Sequence, residues 1–165
     1  MNNLDYLKVP KKINLRDISE NKYNLSSRNY KKITFSNSTE KVRDYLNESA
    51  PYEIGIEPGS INYIKQSKIY FIRTKALDND NFLIYPISNS IIPINPKFYK
   101  SVGLEKHDVL LSKDSSIGEV SVVGGKNYEK HCFSSGIVKL NITKDKYYLI
   151  GLLKHPFFKQ QLYSK

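Results

Sequence analysis

Between Pro51 and Ile142 short apolar runs alternate with polar breaks, and the brevity of the runs is the first clue to what they form. "KIYFIRT" (68–74), "NFLIYPI" (81–87), "HDVLLS" (107–112), "GEVSVVG" (118–124) and "GIVKLNI" (136–142) are rich in Ile, Val, Phe and Tyr and are bounded by Gly, Pro, Asn and Asp. Runs of that length and composition predict strands. After Asp145 the period changes: Tyr148, Leu149, Leu152 and Leu153 fall at helical spacing. Pro156 interrupts, and as a first helical residue it can open a second helix, "PFFKQQLY". Upstream, Asn37-Ser38-Thr39-Glu40 has capping-box spacing and Val42, Tyr45 and Leu46 line one face, which predicts a short helix. Residues 1 to 38 are polar and basic, with too little apolar spacing for core, and read as an arm with one strand. The expectation is an α+β fold: a twisted mixed sheet or open β-barrel-like core with flanking helices, two of them short and at the C-terminal end. The basic arm and short helix (1–50) are expected to belong to the same domain as the main body (51–165), because no repeat, low-complexity segment or Gly/Ser linker divides the chain.

Charge turns attention to the partner. Lys and Arg outnumber Asp and Glu by 26 to 16, a formal net charge of +10 spread along 165 residues with no basic tail. A folded body of this kind carries a basic face suited to a polyanion; a Lys- and Asn-heavy composition with no partner behind it is the plain alternative. One cysteine, Cys132, excludes an internal disulfide and every zinc pattern that needs paired cysteines. The first residues lack the features of a signal peptide, and no apolar run approaches the ~18 residues of a membrane span, so a soluble, cytoplasmic protein is expected.

Catalytic constellations are sparse. His131 and Cys132 could be base and nucleophile, but neighbours on a strand point to opposite faces and no third group orients them. His107, His131 and His155 are too widely separated to name a metal site. Glu20-Asn21-Lys22 with Asp5 has the letters of a Mg²⁺-dependent nuclease without the apolar strands that would hold them. Asn95-Pro96-Lys97-Phe98 resembles the Asn-Pro-Pro-Phe/Tyr loop of N6-adenine methyltransferases, but the second Pro and a Gly-rich donor loop are missing, so a turn is expected. No cofactor, metal or catalytic residue is assigned.

The stretch "GLEKHDVLLSKDSSIGEVSVV" (103–123) places a basic, hydroxyl-rich insert, Lys113-Asp114-Ser115-Ser116, where a two-residue turn would join the flanking strands more simply. It resembles the recurring segment of target recognition domains in type I restriction-modification specificity subunits and in related type II methyltransferases. There a Leu-x-x-Gly-Asp-Ile/Val-Leu-Leu strand passes through a polar Asp-Gly-Ser/Thr-Ile-Gly turn into a second apolar strand. Leu104, Asp108, Val109, Leu110 and Leu111 match the first half, and Ser116, Ile117 and Gly118 the second. "YFIRTKAL" (70–77), "INPKFYKSVGL" (94–104), "HCFSSGIVKLNI" (131–142) and "DKYYLIGLLKHPFFKQQL" (145–162) resemble further family segments, so that about residues 65–163 are covered. "NKYNLSSRNY" (21–30) is similar to a shorter signature near the junction between N6-adenine methyltransferases and their recognition parts. Departures are His107 and Ser115, each where the family usually has Gly, and the absence of Trp.

The resemblance implies sequence-specific recognition of double-stranded DNA by a module that is not an enzyme by itself. The partners it implies are a methyltransferase (modification) subunit or fused methyltransferase domain and a second recognition domain. The family continues past this point into a long spacer helix, so the chain is expected to hold at most one recognition unit. Lys113, Ser115, Ser116 and Arg73 are then expected to meet base edges, while Lys75, Lys97, Lys100, Lys126 and Lys130 meet phosphates. The competing functions are a small Mg²⁺-dependent nuclease and an RNA-binding module stacking bases on some of 13 tyrosines. The run Leu152, Leu153, Phe157, Phe158 either covers the sheet or docks a partner.

Overall fold

A computed structural model describes residues 7–8, 32–33, 40–78, 80–84, 89–98, 103–124 and 128–163. Asp5, the segment 20–31, Asn37 to Thr39, Lys100 and Lys126 lie outside them, and with them the capping-box, nuclease-like and "NKYNLSSRNY" readings.

Strands β1 (Leu7–Lys8) and β2 (Lys32–Ile33) pair antiparallel, so the arm contributes two short strands where one was expected. The predicted short helix is a single 3₁₀ turn, Val42–Tyr45, in which the Asp44 carboxylate accepts the Lys41 N–H at 2.8 Å. Its apolar face is the expected one: Val42, Tyr45 and Leu46 all pack into the core. Tyr45 donates its buried hydroxyl to Glu40, and that hydrogen bond to a carboxylate pushes the phenol up to about 12.

The main body holds two sheets. One is four-stranded, in the order β3 (Tyr52–Ile54), β9 (Ile137–Leu140), β6 (Val109–Ser112), β7 (Val120–Val122), all antiparallel. The other has β4 (Tyr70–Ile72) at its centre, antiparallel to β5 (Ile91–Pro93) and parallel to β8 (His131–Phe133). The fold is α+β as expected; its β part divides between these sheets and forms no closed barrel among the described residues. "NFLIYPI" supplies a single bridge, Leu83 to Val122, in its described portion.

Side-chain alternation along the strands explains why the central runs read as almost continuously apolar. Val109, Val120, Val122, Val138 and Leu140 face helix α1 (Lys146–Lys154), meeting Leu149, Ile150 and Leu153. Leu110, Val123 and Ile137 face the other way, against Ile72 and Phe133 of the three-stranded sheet. Both faces of β6, β7 and β9 are therefore covered, and a strand covered on both faces loses its polar alternation. Phe71 and Cys132 point to the far side of the three-stranded sheet, where Ile69, Ile94, Tyr63, Ile92 and Phe98 close a third cluster.

Helix α1 is followed at once by α2 (Pro156–Tyr163), with Pro156 at its first position as predicted. The buried stripe of α1 is Leu149, Ile150 and Leu153, while Tyr148 and Leu152, assigned to that face from sequence, are 60% and 44% exposed. Covering the sheet is thus what Leu153 and Phe158 do. Lys154 turns inward at the end of α1 and donates to the carbonyls of Asp78 (3.3 Å), Asn81 (2.8 Å) and Val120 (2.8 Å). Its three donors tie helix, β7 and the 78–81 loop together. Burial lowers its pKa.

Candidate nucleic-acid interface

The hairpin of β6 and β7 is a stalk, and the motif residues are the ones that build it. Leu104, Val109 and Leu110 are buried. Val109, Leu110 and Leu111 pair with Val122, Ser121 and Val120. Asp108 accepts the Glu105 N–H on its carboxylate at 2.9 Å, and its carbonyl accepts Val123 N–H at 2.9 Å, closing the turn that leads into β6. Gly118 has φ +84°, a backbone that other residues adopt only with strain, and a Cβ there would press on Leu162 Cδ1 at 3.0 Å and Lys159 Cγ at 3.3 Å.

The two positions that depart from the family's glycines keep glycine-like backbone. His107 has φ 73° and Ser115 φ 61°, both left-handed. His107 offsets part of that strain through its Nδ1, 3.1 Å from the Tyr147 hydroxyl.

Backbone groups of the tip are largely committed. Lys113 and Asp114 donate their N–H groups to the Gly136 carbonyl at 2.9 and 3.3 Å, and Gly118 N–H reaches Ser112 O at 2.9 Å. Ser112, buried, donates its hydroxyl to the Ser116 carbonyl and accepts Glu119 N–H at 2.9 Å. Side chains take the opposite course: those of Lys113, Asp114, Ser115 and Ser116 are exposed. Lys113 pairs with Asp114 at 2.9 Å, with 42% and 60% of the two side chains exposed. An ion pair in that much water is weak and readily exchanged for another anion.

The remaining predicted residues divide by position. Lys75 is exposed in the 3₁₀ turn Thr74–Ala76, directly after β4. Thr74 and Asp114 both border Gly136, where an added Cβ would lie 2.9 Å from Thr74 Cγ2 and 3.4 Å from Asp114 Cβ. The tip and the end of β4 therefore meet at one point. Lys97 and Lys130 flank the other end of the three-stranded sheet: Lys130 precedes β8 and accepts Tyr70 N–H at 3.0 Å, and Lys97 follows β5 with its ammonium 5.2 Å from the Phe98 ring. Arg73 is half-buried, and its guanidinium donates to the Asn89 carbonyl at 3.3 Å. The structure brings together the tip and Lys75, and places Lys97 and Lys130 elsewhere.

Sequence reasoning missed the cleft into which Arg73 projects, about 470 Å³ and lined also by Tyr63, Ile64, Lys65, Asn89, Ile92 and Pro93. Its residues come from three separated segments, and only pairing brings them together: Tyr63 bridges Ile94, and Ile64 N–H donates to Pro93 O at 3.1 Å.

Nucleophilic chemistry at Cys132 finds no support in this geometry. The thiol is buried against the Tyr70 carbonyl at 3.4 Å, and burial pushes it up to about 11, the reverse of activation. The His131 ring lies on the other face, stacked on Tyr70 at 5.1 Å. Among the described residues no group of three or more His, Cys, Asp or Glu could hold a metal ion, and no helix is long and apolar enough to cross a membrane.

No family model and no curated protein matches the chain. Among solved structures it is similar to the HsdS subunit from Thermoanaerobacter tengcongensis, at 18% identity and a TM-score of 0.48 over 70% of this chain and 27% of that one. It is similar also to a chain from a structural study of complex assembly and conformational transition of the type I R-M system, at 20% identity and a TM-score of 0.41 over 62% of this chain and 24% of that one. The chain spans about a quarter of the length of these structures.

Proposed function

We propose that this chain is a target recognition module for double-stranded DNA in a type I restriction-modification system, with no catalysis of its own. The observation that carries the reading is the tip of the β6–β7 hairpin. Its backbone hydrogen bonds return into the fold at Gly136 and Ser112, while Lys113, Ser115 and Ser116 point into solvent. Reading base edges in a major groove needs short donors and acceptors held at fixed positions, with cations near the phosphates. A rigid stalk with a polar, basic tip supplies them, and Lys75 beside it adds a cation to the same end of the molecule. The chemistry of methylation or cleavage is then supplied by a partner, an N6-adenine methyltransferase subunit or fused domain working in the cytoplasm. A second recognition domain reads the other part of the site, and residues 1–50 belong to the same module as the rest.

The test is selection of duplexes from a random-sequence pool by the purified chain. Enrichment of a short common sequence is expected, with no cleavage or methylation in the presence of Mg²⁺ and methyl donor. Binding without enrichment, preference for single strands, or turnover by the chain alone would each overturn the reading.

A further inference from the structure

We infer that Lys65 and Arg73 form a clamp for a DNA phosphate in the cleft beside β5, so that Arg73 positions the duplex and does not read its bases; this rests on the DNA reading above. The backbone at Arg73 is extended (φ −91°, ψ 157°), so the alternation of β4 continues through it. Phe71 faces the outer cluster with Tyr63 and Ile92, and Arg73, two residues on, faces the same way. Thr74 faces oppositely, toward Gly136 and the tip. Arg73 and the hairpin tip thus sit at one end of the three-stranded sheet but on its two sides. A tip that enters a major groove leaves Arg73, on the other side of the sheet, to meet a phosphate strand bordering that groove.

The chemistry of the cleft fits a phosphodiester. Among the described residues its lining holds two cations, Lys65 and Arg73, one amide, Asn89, and no carboxylate. Ile64, Ile92 and Pro93 give an apolar wall suited to a deoxyribose, and Tyr63 is held in place by its ring contact with Phe71 at 6.1 Å. The Asn89 carbonyl accepts from the guanidinium at 3.3 Å, which orients one edge of the arginine. A planar guanidinium held by one edge presents its other donors as a fork that suits phosphate oxygens.

The experiment measures duplex affinity across a salt series for the parent, Lys65→Ala, Arg73→Ala and Arg73→Lys, each first shown to unfold at the parent's midpoint. Each alanine is expected to lower the salt slope by about 0.9 and to weaken selected and scrambled duplexes alike. Arg73→Lys, which keeps the charge, is expected to retain the slope. An unchanged slope in the alanine variants, or a loss confined to the selected duplex, overturns the clamp while leaving the DNA reading standing. If the parent binds no duplex the DNA reading falls, and the cleft is judged on inorganic phosphate alone, titrated while the amide signals of Lys65, Arg73 and Asn89 are followed by NMR. Saturable shifts confined to the parent uphold an anion clamp, and no shift overturns it.

Discussion

The hairpin tip at 113–116 and the loop at 78–84 are both polar connections beside β7, and they use lysine in opposite ways. At the tip the backbone is tied down and Lys113 extends into solvent, paired with the exposed Asp114. At the other loop the cation comes from outside: Lys154 reaches in from α1 and takes three carbonyls, while buried Ser121 accepts Asp78 N–H at 3.2 Å. Asp78 closes its own loop on Asp80 N–H and the Asn81 amide, which hold its carboxyl below the usual range. Each lysine counts equally toward the net charge of +10, yet one lies exposed at a loop tip and the other spends its charge on the fold. Net charge therefore points to a polyanion without saying which cations meet it.

Loss of the stalk should have the largest effect. Leu110 is fully buried between the two sheets, and Leu110→Ala is expected to cost about 3 kcal/mol in urea unfolding, from lost burial and the cavity left behind. Lys154→Met keeps the methylene stem and removes the three donors. It should cost about 2 kcal/mol, less than a deep cavity because water can reach part of this loop. If Lys154→Met were neutral, the loop would be held by Ser121 and Asp78 alone and the contrast between the lysines would dissolve. Ser115→Gly should stabilise by about 0.5 kcal/mol, since glycine adopts φ 61° without strain, whereas Ser115→Val should destabilise. A loss on Ser115→Gly would mean that the serine side chain supports the tip.

Smallest is the effect expected at Cys132. Its thiol is raised by burial, so in the folded state it stays protonated where an unfolded cysteine ionises, and stability is expected to fall as pH rises from about 9 to about 11. Native protein at about pH 8.5 should react with iodoacetamide far more slowly than urea-unfolded protein. Equal rates would place the thiol at the surface.

What could be read from sequence follows from how each strand is covered. β6, β7 and β9 are covered on both faces, so their runs are almost continuously apolar, broken only by residues such as Ser121 and Lys139, and stand out. β3 lies at a sheet edge with Tyr52 and Ile54 exposed, and β5 is three residues ending in Pro93; neither produces a pattern. In α1 the spacing Tyr148, Leu149, Leu152, Leu153 is helical, but so is Leu149, Ile150, Leu153, and only packing against β6 and β7 decides between them. The resemblance lay in residues that build the stalk, Leu104, Asp108 to Leu111 and Gly118, and these are the residues that form and support the β6–β7 hairpin. Lys65 and Asn89 carried no signal, because the cleft exists only once β4, β5 and the 63–65 segment have paired.

The central claim is that the tip reads sequence and its surroundings only hold DNA. Competition binding on the selected duplex and a scrambled one, comparing the parent with Lys113→Ala/Ser116→Ala, tests it most directly. The variant should lose about 1–3 kcal/mol of preference for the selected duplex and keep nearly all of its affinity for the scrambled one. Equal losses on both duplexes, or no loss on either, would contradict it.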